Sequence, residues 1–177
     1  MIFEKITLND VYLIKLEKNY DERGFFARSF CLDEFKKNGI NISIKQCNIS
    51  FNTKTNTLRG MHYQDDDEYG EEKIIRCTRG KIYDVIIDLR KESHTYLQWQ
   101  GISLDATTHN ALYVPKGFAH GFQTLTENTE VYYHMTAIYK PELSSGIRWD
   151  DPIFNIQWPN SSPILSEKDA SYSNYQP

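Results

Sequence analysis

The stretch that decides the fold is KIYDVIIDL, residues 81–89, which follows Gly80 and is rich in β-branched and aromatic side chains. Such a run between turn residues predicts a β-strand. Similar short runs occupy residues 43–51, 97–104, 111–114 and 130–139. Because strands that recur about every 10 to 20 residues with turns between them are typical of sandwiches and barrels, the sequence predicts an all-β fold.

Length and composition restrict the number of domains and the class of protein. The chain of 177 residues, with 40% hydrophobic and 25% charged residues, suits one globular domain, which we predict to span residues 1–177. The net charge of −4 disfavours nucleic acid or an anionic membrane as a partner. No apolar run reaches about 18 residues, and the N-terminus lacks a signal-peptide pattern. We therefore expect a cytoplasmic protein without a membrane contact.

One short helix is expected among the strands. Residues 32–38, LDEFKKN, place apolar side chains three positions apart, and Gly39 follows as a natural stop. Two charged segments, in contrast, predict solvated loops, because like charges resist burial. They are the acidic segment at 65–68 and 71–72 and the segment SEKD at 166–169.

The segment LRGMHYQ, residues 58–64, carries a potential base and is followed by the cation Lys73. An imidazole such as that of His62 is a potential general base at physiological pH. In a regular strand Arg59 and His62 would face opposite sides. A turn or bulge at Gly60 would bring both into one pocket. Spacing alone leaves open a second interpretation, a half-buried histidine beside surface cations.

The segment PKGFAHGF, residues 115–122, places a tight turn just before a strand that contains His120. It resembles the second motif of the cupin superfamily, whose fold is a double-stranded β-helix or jelly roll. Metal-binding cupins supply a His-x-His pair from the first motif, where this chain has His62, Tyr63 and Gln64. With the second imidazole missing, we expect no catalytic metal. None of the three cysteines sits in a Cys-x-x-Cys pair, so a structural zinc is not expected either.

Two further features are ambiguous by themselves. Arg23 lies beside a glycine and could hold a phosphate with two parallel hydrogen bonds, or could be a surface arginine. Tyr132 and Tyr133 are adjacent in a predicted strand. Because neighbouring strand residues point to opposite faces, only one of the two tyrosines can face a pocket.

Taken in order, these segments resemble the dTDP-4-dehydrorhamnose 3,5-epimerase family. The motifs that carry the resemblance run through nearly the whole chain: DERGFF (21–26), QCN (46–48), LRGMHYQ (58–64), EKIIR (72–76), RGKIYDV (79–85), PKGFAHGF (115–122), GIRWDDP (146–152) and SEKD (166–169). The resemblance implies an all-β, cupin-like double-stranded β-helix or jelly roll with a few short helices. It also implies a homodimer, no cofactor and no metal.

The same resemblance implies an activity and a role for each matching residue. The activity is epimerisation at C3, C5 or both of a nucleoside-diphosphate 4-keto-6-deoxy sugar, of which dTDP-4-dehydro-6-deoxyglucose is the expected example. The implied catalytic groups are a base (His62), its partner (Asp169), a general acid (Tyr133) and a cation near the C4 carbonyl (Lys73). The implied substrate-binding residues are Arg23, Phe26, Arg28, Gln46, Asn48, Arg59, His120, Tyr139 and Lys168, with Tyr139 stacking on the nucleobase.

Two departures from the family pattern leave alternatives open. Arg28 stands where the family usually has Glu, and Ser144 stands where it often has an acid. One alternative is an epimerase that acts at C3 only or C5 only, on a dTDP-, GDP- or CDP-linked sugar. Another is a cupin that binds a sugar nucleotide without catalysis. The joint presence of a base, a cation and two acids argues against the second alternative, because binding alone needs no base–acid pair.

Overall fold

The structure is a computed structural model that describes residues 1–64 and 70–177. The acidic segment 65–68 therefore lies outside the described residues. Within those ranges the helices are α1 (Leu32–Lys37) and α2 (Glu167–Ala170), with a 3-10 turn at Pro141–Leu143. The strands are β1 (Ile2–Lys5), β2 (Tyr12–Lys15), β3 (Asn19–Asp21), β4 (Gly24–Phe26), β5 (Gln46–Asn52), β6 (Leu58–Gln64), β7 (Lys73–Arg79), β8 (Lys81–Asp88), β9 (Trp99–Asp105), β10 (Ala111–Val114), β11 (Phe118–Thr124), β12 (Thr129–Met135) and β13 (Ser144–Gly146).

Two antiparallel sheets pack face to face. The first has the strand order β1-β2-β10-β7-β12-β5 and the second the order β13-β6-β11-β8-β9, while β3 and β4 form a separate hairpin. Ile75 and Val131 of the first sheet belong to one buried cluster with Ile86, Leu104 and Phe122 of the second. Burial of apolar surface between the sheets is the main source of their stability. This sandwich confirms the predicted all-β, cupin-like jelly roll with short helices.

Most predicted elements are present, although some of their bounds and one predicted loop differ. The predicted helix is α1, which is capped at Asn38 and followed by Gly39 at φ +80°. Strand β9 begins at Trp99 because Leu97 adopts a φ of +60°, which no extended strand contains. The loop predicted at 166–169 is wrong in its secondary structure, and Asp169 is buried, although Ser166, Glu167 and Lys168 are exposed as expected. These residues form the start of α2, where the Asp169 backbone N–H donates to the Ser166 hydroxyl at 3.1 Å.

A bulge in β6 orients two predicted site residues. His62 pairs with His120 and Arg59 pairs with Phe122 on β11. Between these two pairs β6 therefore contains one more residue than β11. The extra residue turns Arg59 to the side of His62, and both line one cavity. Gly60 allows the bulge at φ +143°, since a Cβ there would lie 2.5 Å from the Gly121 Cα. The predicted bulge is confirmed.

The helices are short elements at the margins of the sandwich. The Phe35 side chain of α1 is buried in a cluster that covers the outer face of the first sheet with Ile14, Ile74 and Tyr113. In the parts of the chain that are described, no helix has the length and apolar character needed to cross a bilayer.

Candidate active site

A cavity of about 340 Å³ opens between the two sheets. Its walls are the inner faces of β5, β7 and β12 on one side and of β6 and β11 on the other, and α2 adds residues at the mouth. Nine of the thirteen residues predicted for the site line this cavity: Asn48, Arg59, His62, Lys73, His120, Tyr133, Tyr139, Lys168 and Asp169.

The His62 ring is held by a carboxylate from α2. His62 Nε2 lies 2.7 Å from Asp169 Oδ1, and the Asp169 side chain is buried. Burial by itself would raise the pKa of the Asp169 carboxyl, but its hydrogen bonds, above all that with His62, hold this pKa below the usual value. An ionised Asp169 accepts the proton of Nε2 and so fixes the tautomer, which leaves the lone pair on Nδ1 as the available base.

The His62 ring is accessible as well as anchored. Its side chain remains 38% exposed, while the ring of Tyr172 packs edge-on against it at a centroid distance of 5.9 Å. Tyr172 was not predicted from the sequence, since nothing in the C-terminal segment marks it as a neighbour of His62. A base must be exposed to its substrate and still keep one orientation, and this arrangement meets both needs.

Tyr133 is the tyrosine of the adjacent pair that faces the cavity. It projects from β12 on the first sheet, whereas His62 projects from β6 on the second, so the two groups occupy opposite walls. Burial raises the pKa of the Tyr133 hydroxyl more than its hydrogen bond with Ser50 lowers it. The hydroxyl therefore keeps its proton at neutral pH. Tyr132 lies on the outer face beside Cys47, which confirms that only one of the pair enters the pocket.

Lys73 brings a buried positive charge to the cavity. It is the first residue of β7, and its Nζ lies 2.6 Å from Glu71 Oε1. Glu71 also lines the cavity, so the loop predicted to be solvated is wrong at this position. The cause is tertiary, because the ion pair with Lys73 offsets part of the cost of burying the carboxylate.

A second histidine–carboxylate pair lies deeper in the same wall. His120 Nε2 is 2.8 Å from Asp84 Oδ2, and both side chains are buried. Burial raises the pKa of the Asp84 carboxyl in spite of the attraction of His120. Sequence reasoning missed Asp84, although its position between Ile82 and Ile86 on the inner face of β8 was a usable signal. In the described ranges no group of three or more His, Cys, Asp or Glu side chains is arranged to hold a metal ion.

Polar side chains of β5 support the neighbouring walls. Arg59 Nε donates to Asn52 Oδ1 at 2.7 Å, which holds the guanidinium at the cavity edge. Gln46 does not line the cavity. Its Oε1 accepts the backbone N–H of Tyr139 at 2.9 Å, so Gln46 places a residue that does line it.

The remaining three predicted residues lie outside the cavity of the chain. Arg23 and Phe26 belong to the β3–β4 hairpin, with the Arg23 side chain 84% exposed and Phe26 77% exposed. Arg28 donates to Glu34 at 2.9 Å on the surface. Their contact with substrate stays a prediction. Ser144, the other departure from the family pattern, does line the cavity.

Comparison with known proteins agrees with the geometry. The family model described as dTDP-4-dehydrorhamnose 3,5-epimerase matches residues 5–176. The dTDP-4-dehydrorhamnose 3,5-epimerase of Salmonella typhimurium is 41% identical over 173 residues, which cover 97% of this chain and 93% of the relative. The structure of the Bacillus anthracis enzyme, with TDP and PPi bound, has a TM-score of 0.94 and 39% identity, covering 98% of this chain and 99% of that one.

A third comparison includes a bound sugar nucleotide. The structure of dTDP-6-deoxy-D-glucose-3,5-epimerase from Legionella pneumophila, in complex with dTDP-4-keto-L-rhamnose, has a TM-score of 0.91 and 32% identity, covering 98% of this chain and 92% of that one. Sequence and structure thus agree over nearly the whole length of the chain, and the chain belongs to the dTDP-4-dehydrorhamnose 3,5-epimerase family.

Proposed function

We propose that the chain, acting as one domain over residues 1–177, epimerises C3 and C5 of dTDP-4-dehydro-6-deoxyglucose without a cofactor. The observation that carries the proposal is the placement of an anchored imidazole and a protonated tyrosine on opposite walls of one cavity. His62 stands on the second sheet with Asp169 at 2.7 Å, and Tyr133 stands on the first sheet. The names and bound ligands of the relatives support the choice of substrate.

Proton removal is the step assigned to His62. The C4 ketone makes the protons on C3 and C5 acidic, because loss of either proton gives an enolate. C2 is not adjacent to the ketone, so the acidity of its proton is not raised in this way. The neutral His62 imidazole takes the proton through Nδ1, and the Asp169 carboxylate stabilises the imidazolium that forms. General-base catalysis of this type contributes about 10²- to 10⁴-fold to the rate.

Stabilisation of the enolate is the role assigned to Lys73. Negative charge collects on the C4 oxygen as the proton leaves, and a preorganised cation aimed at that oxygen lowers the barrier. Lys73 is buried in the cavity wall, where a charge acts more strongly than in water.

Inversion requires that the new proton arrive from the face opposite to the base. Tyr133 stands on the wall opposite His62 and keeps its hydroxyl proton, so it is the general acid in this proposal. Arg59 and Lys168 line the same cavity and supply positive charge for the diphosphate. Binding energy from the diphosphate then orients the sugar ring between the two walls.

We propose further that the enzyme is a homodimer. Phe26 on the hairpin is 77% exposed, and Ile49 and Phe51 on the edge strand β5 are 63% and 44% exposed. An exposed sheet edge with apolar side chains is a surface that proteins normally cover. In a dimer Arg23 and Phe26 could reach the cavity of the partner. Light scattering at micromolar concentration is expected to give twice the mass of the chain, and the mass of one chain would contradict the dimer.

The compartment follows from the chemistry of the chain and its substrate. The cysteines Cys31, Cys47 and Cys77 are all free, which suits a reducing compartment. We therefore propose that the enzyme acts in the cytoplasm, where nucleoside triphosphates supply nucleotide sugars. Cell fractionation should place it in the cytosolic fraction, and recovery with membranes would contradict this location.

Product analysis by proton NMR tests the proposed function. The enzyme is incubated in separate reactions with dTDP-, GDP- and CDP-linked 4-keto-6-deoxyglucose. We expect the dTDP-linked sugar to change configuration at both C3 and C5. A change at one carbon only would identify a single-site epimerase. Faster turnover of the GDP- or CDP-linked sugar would show that the preferred substrate carries that nucleotide instead of dTDP. Binding without any change would favour the sugar-nucleotide binding protein.

A further inference from the structure

Lys73 shares the cavity wall with a second charged side chain, Glu71. The pair is joined at 2.6 Å, and only 9% of the Lys73 side chain and 8% of the Glu71 side chain are exposed. The other carboxylate oxygen, Glu71 Oε2, is buried without a hydrogen-bond partner among the described residues. The Lys73 ammonium is therefore the group that anchors this carboxylate.

The pair restrains a side chain that would otherwise be mobile. Lysine carries its charge on a flexible stem of four carbons, so burial alone does not fix where Nζ points. The short ion pair with Glu71, 2.6 Å between Lys73 Nζ and Glu71 Oε1, restrains the position of the ammonium. Removing one member of a buried ion pair leaves the other charge uncompensated, which favours any rearrangement that supplies a new partner.

A new partner is available close by. Asp84 Oδ1 is buried and has no hydrogen-bond partner in the described part of the chain. Lys73 is close enough for its charge to lower the pKa of the Asp84 carboxyl, against the larger opposite effect of burial. Asp84 is thus a second carboxylate within range of the Lys73 charge, and in the structure Glu71 holds the ammonium.

We propose that Glu71 is a positioning residue of the epimerase. It holds the Lys73 ammonium at the cavity wall, where the C4 oxygen of the substrate would lie, and keeps it from pairing with Asp84. Glu71 acts through Lys73 and takes no proton itself. The inference rests on the proposed function, because it assigns Glu71 a part in stabilising the enolate.

The adjacent residue offers a matched control. Glu72 has the same side chain but does not line the cavity. Instead, its Oε1 accepts the Tyr113 hydroxyl at 3.0 Å. Glu72→Gln preserves an acceptor for Tyr113 and removes the same charge as Glu71→Gln. Only the second change acts on the partner of Lys73.

A double-mutant cycle tests whether Glu71 works through Lys73. Deuterium uptake at C5 of the dTDP-linked keto sugar is followed in the wild type, Glu71→Gln, Lys73→Met and the double variant. We expect Glu71→Gln to lower kcat by roughly 10-fold, below the loss caused by removing a donor outright, with KM nearly unchanged. In the Lys73→Met background the same change should have no further effect. Glu72→Gln should behave as the wild type.

Several outcomes would overturn the inference. An equal loss from Glu71→Gln in both backgrounds would show that Glu71 does not act through Lys73, and equal losses in Glu71→Gln and Glu72→Gln would show a general charge effect. If Glu71→Gln does not fold, Glu71→Asp, which keeps the charge, replaces it in the cycle. The expected result is then a smaller loss that again disappears without Lys73. An inactive wild type would overturn the proposed function as well. If the wild type is active and the losses from the Glu71 and Lys73 changes simply add in the double variant, only this inference is overturned.

Discussion

His62→Ala is expected to lower the rate of proton exchange at C3 and C5 by about 10²- to 10⁴-fold, the usual contribution of a general base. No other imidazole replaces it in the dyad with Asp169, and the second histidine of the cavity, His120, is already bonded to Asp84. The measurement is the initial rate of deuterium uptake into the keto sugar, at saturating substrate.

The fold should survive this change, because the His62 side chain is partly exposed and lies at the cavity surface rather than in the core. Thermal unfolding followed by circular dichroism provides the check. His94→Ala is a matched control, since His94 does not line this cavity, and its exchange rate should equal that of the wild type. A near-normal rate in folded His62→Ala would remove His62 from its role.

Tyr133→Phe is expected to separate proton loss from inversion. The change deletes only the hydroxyl, so His62 still removes and returns protons on its own face, and deuterium still enters the sugar. Protonation from the opposite wall loses its donor, and the rate of inversion should fall by about 10²- to 10⁴-fold. Proton NMR measures both quantities in one sample, as isotope content and as ring configuration.

The neighbouring tyrosine is the control for this prediction. Tyr132 lies on the outer face of β12, and Tyr132→Phe should leave both exchange and inversion unchanged. If Tyr132→Phe instead produced the loss of inversion, the register of β12 would be wrong by one residue. If neither change affected inversion, the general acid would have to be sought among the other groups of the cavity wall.

Local sequence was sufficient for much of the sheet. The apolar run of β8 and the Pro–Gly turn before β11 are local signals from which these two strands could be predicted. The bulge at Gly60 could also be predicted. A regular strand would place Arg59 and His62 on opposite faces, and a bulge at the glycine between them brings both to the same face. Strand alternation alone allowed either Tyr132 or Tyr133 to face the pocket. The family resemblance implied Tyr133, and the register of β12 places this residue in the cavity wall.

Other parts of the site depend on tertiary contacts that the sequence does not display. Helix α2 is too short to be stable alone, and it is held by the Ser166 cap and by the bond between His62 and Asp169. Glu71 resembles part of an acidic surface loop until Lys73 is placed beside it. In the sequence Asp84 is a single acidic residue within an apolar strand. Its partner His120 lies 36 residues away along the chain.

The most direct test of the account is the position of solvent deuterium in the sugar after incubation with the wild-type enzyme in D₂O. The C4 ketone activates its two neighbouring carbons alone, so deuterium should appear at C3 and C5, with inverted configuration, and C2 should keep its proton. Deuterium at one carbon only would restrict the enzyme to a single-site epimerase. Inversion without any uptake of deuterium, or no reaction with any 4-keto sugar nucleotide, would contradict proton transfer through His62 and Tyr133.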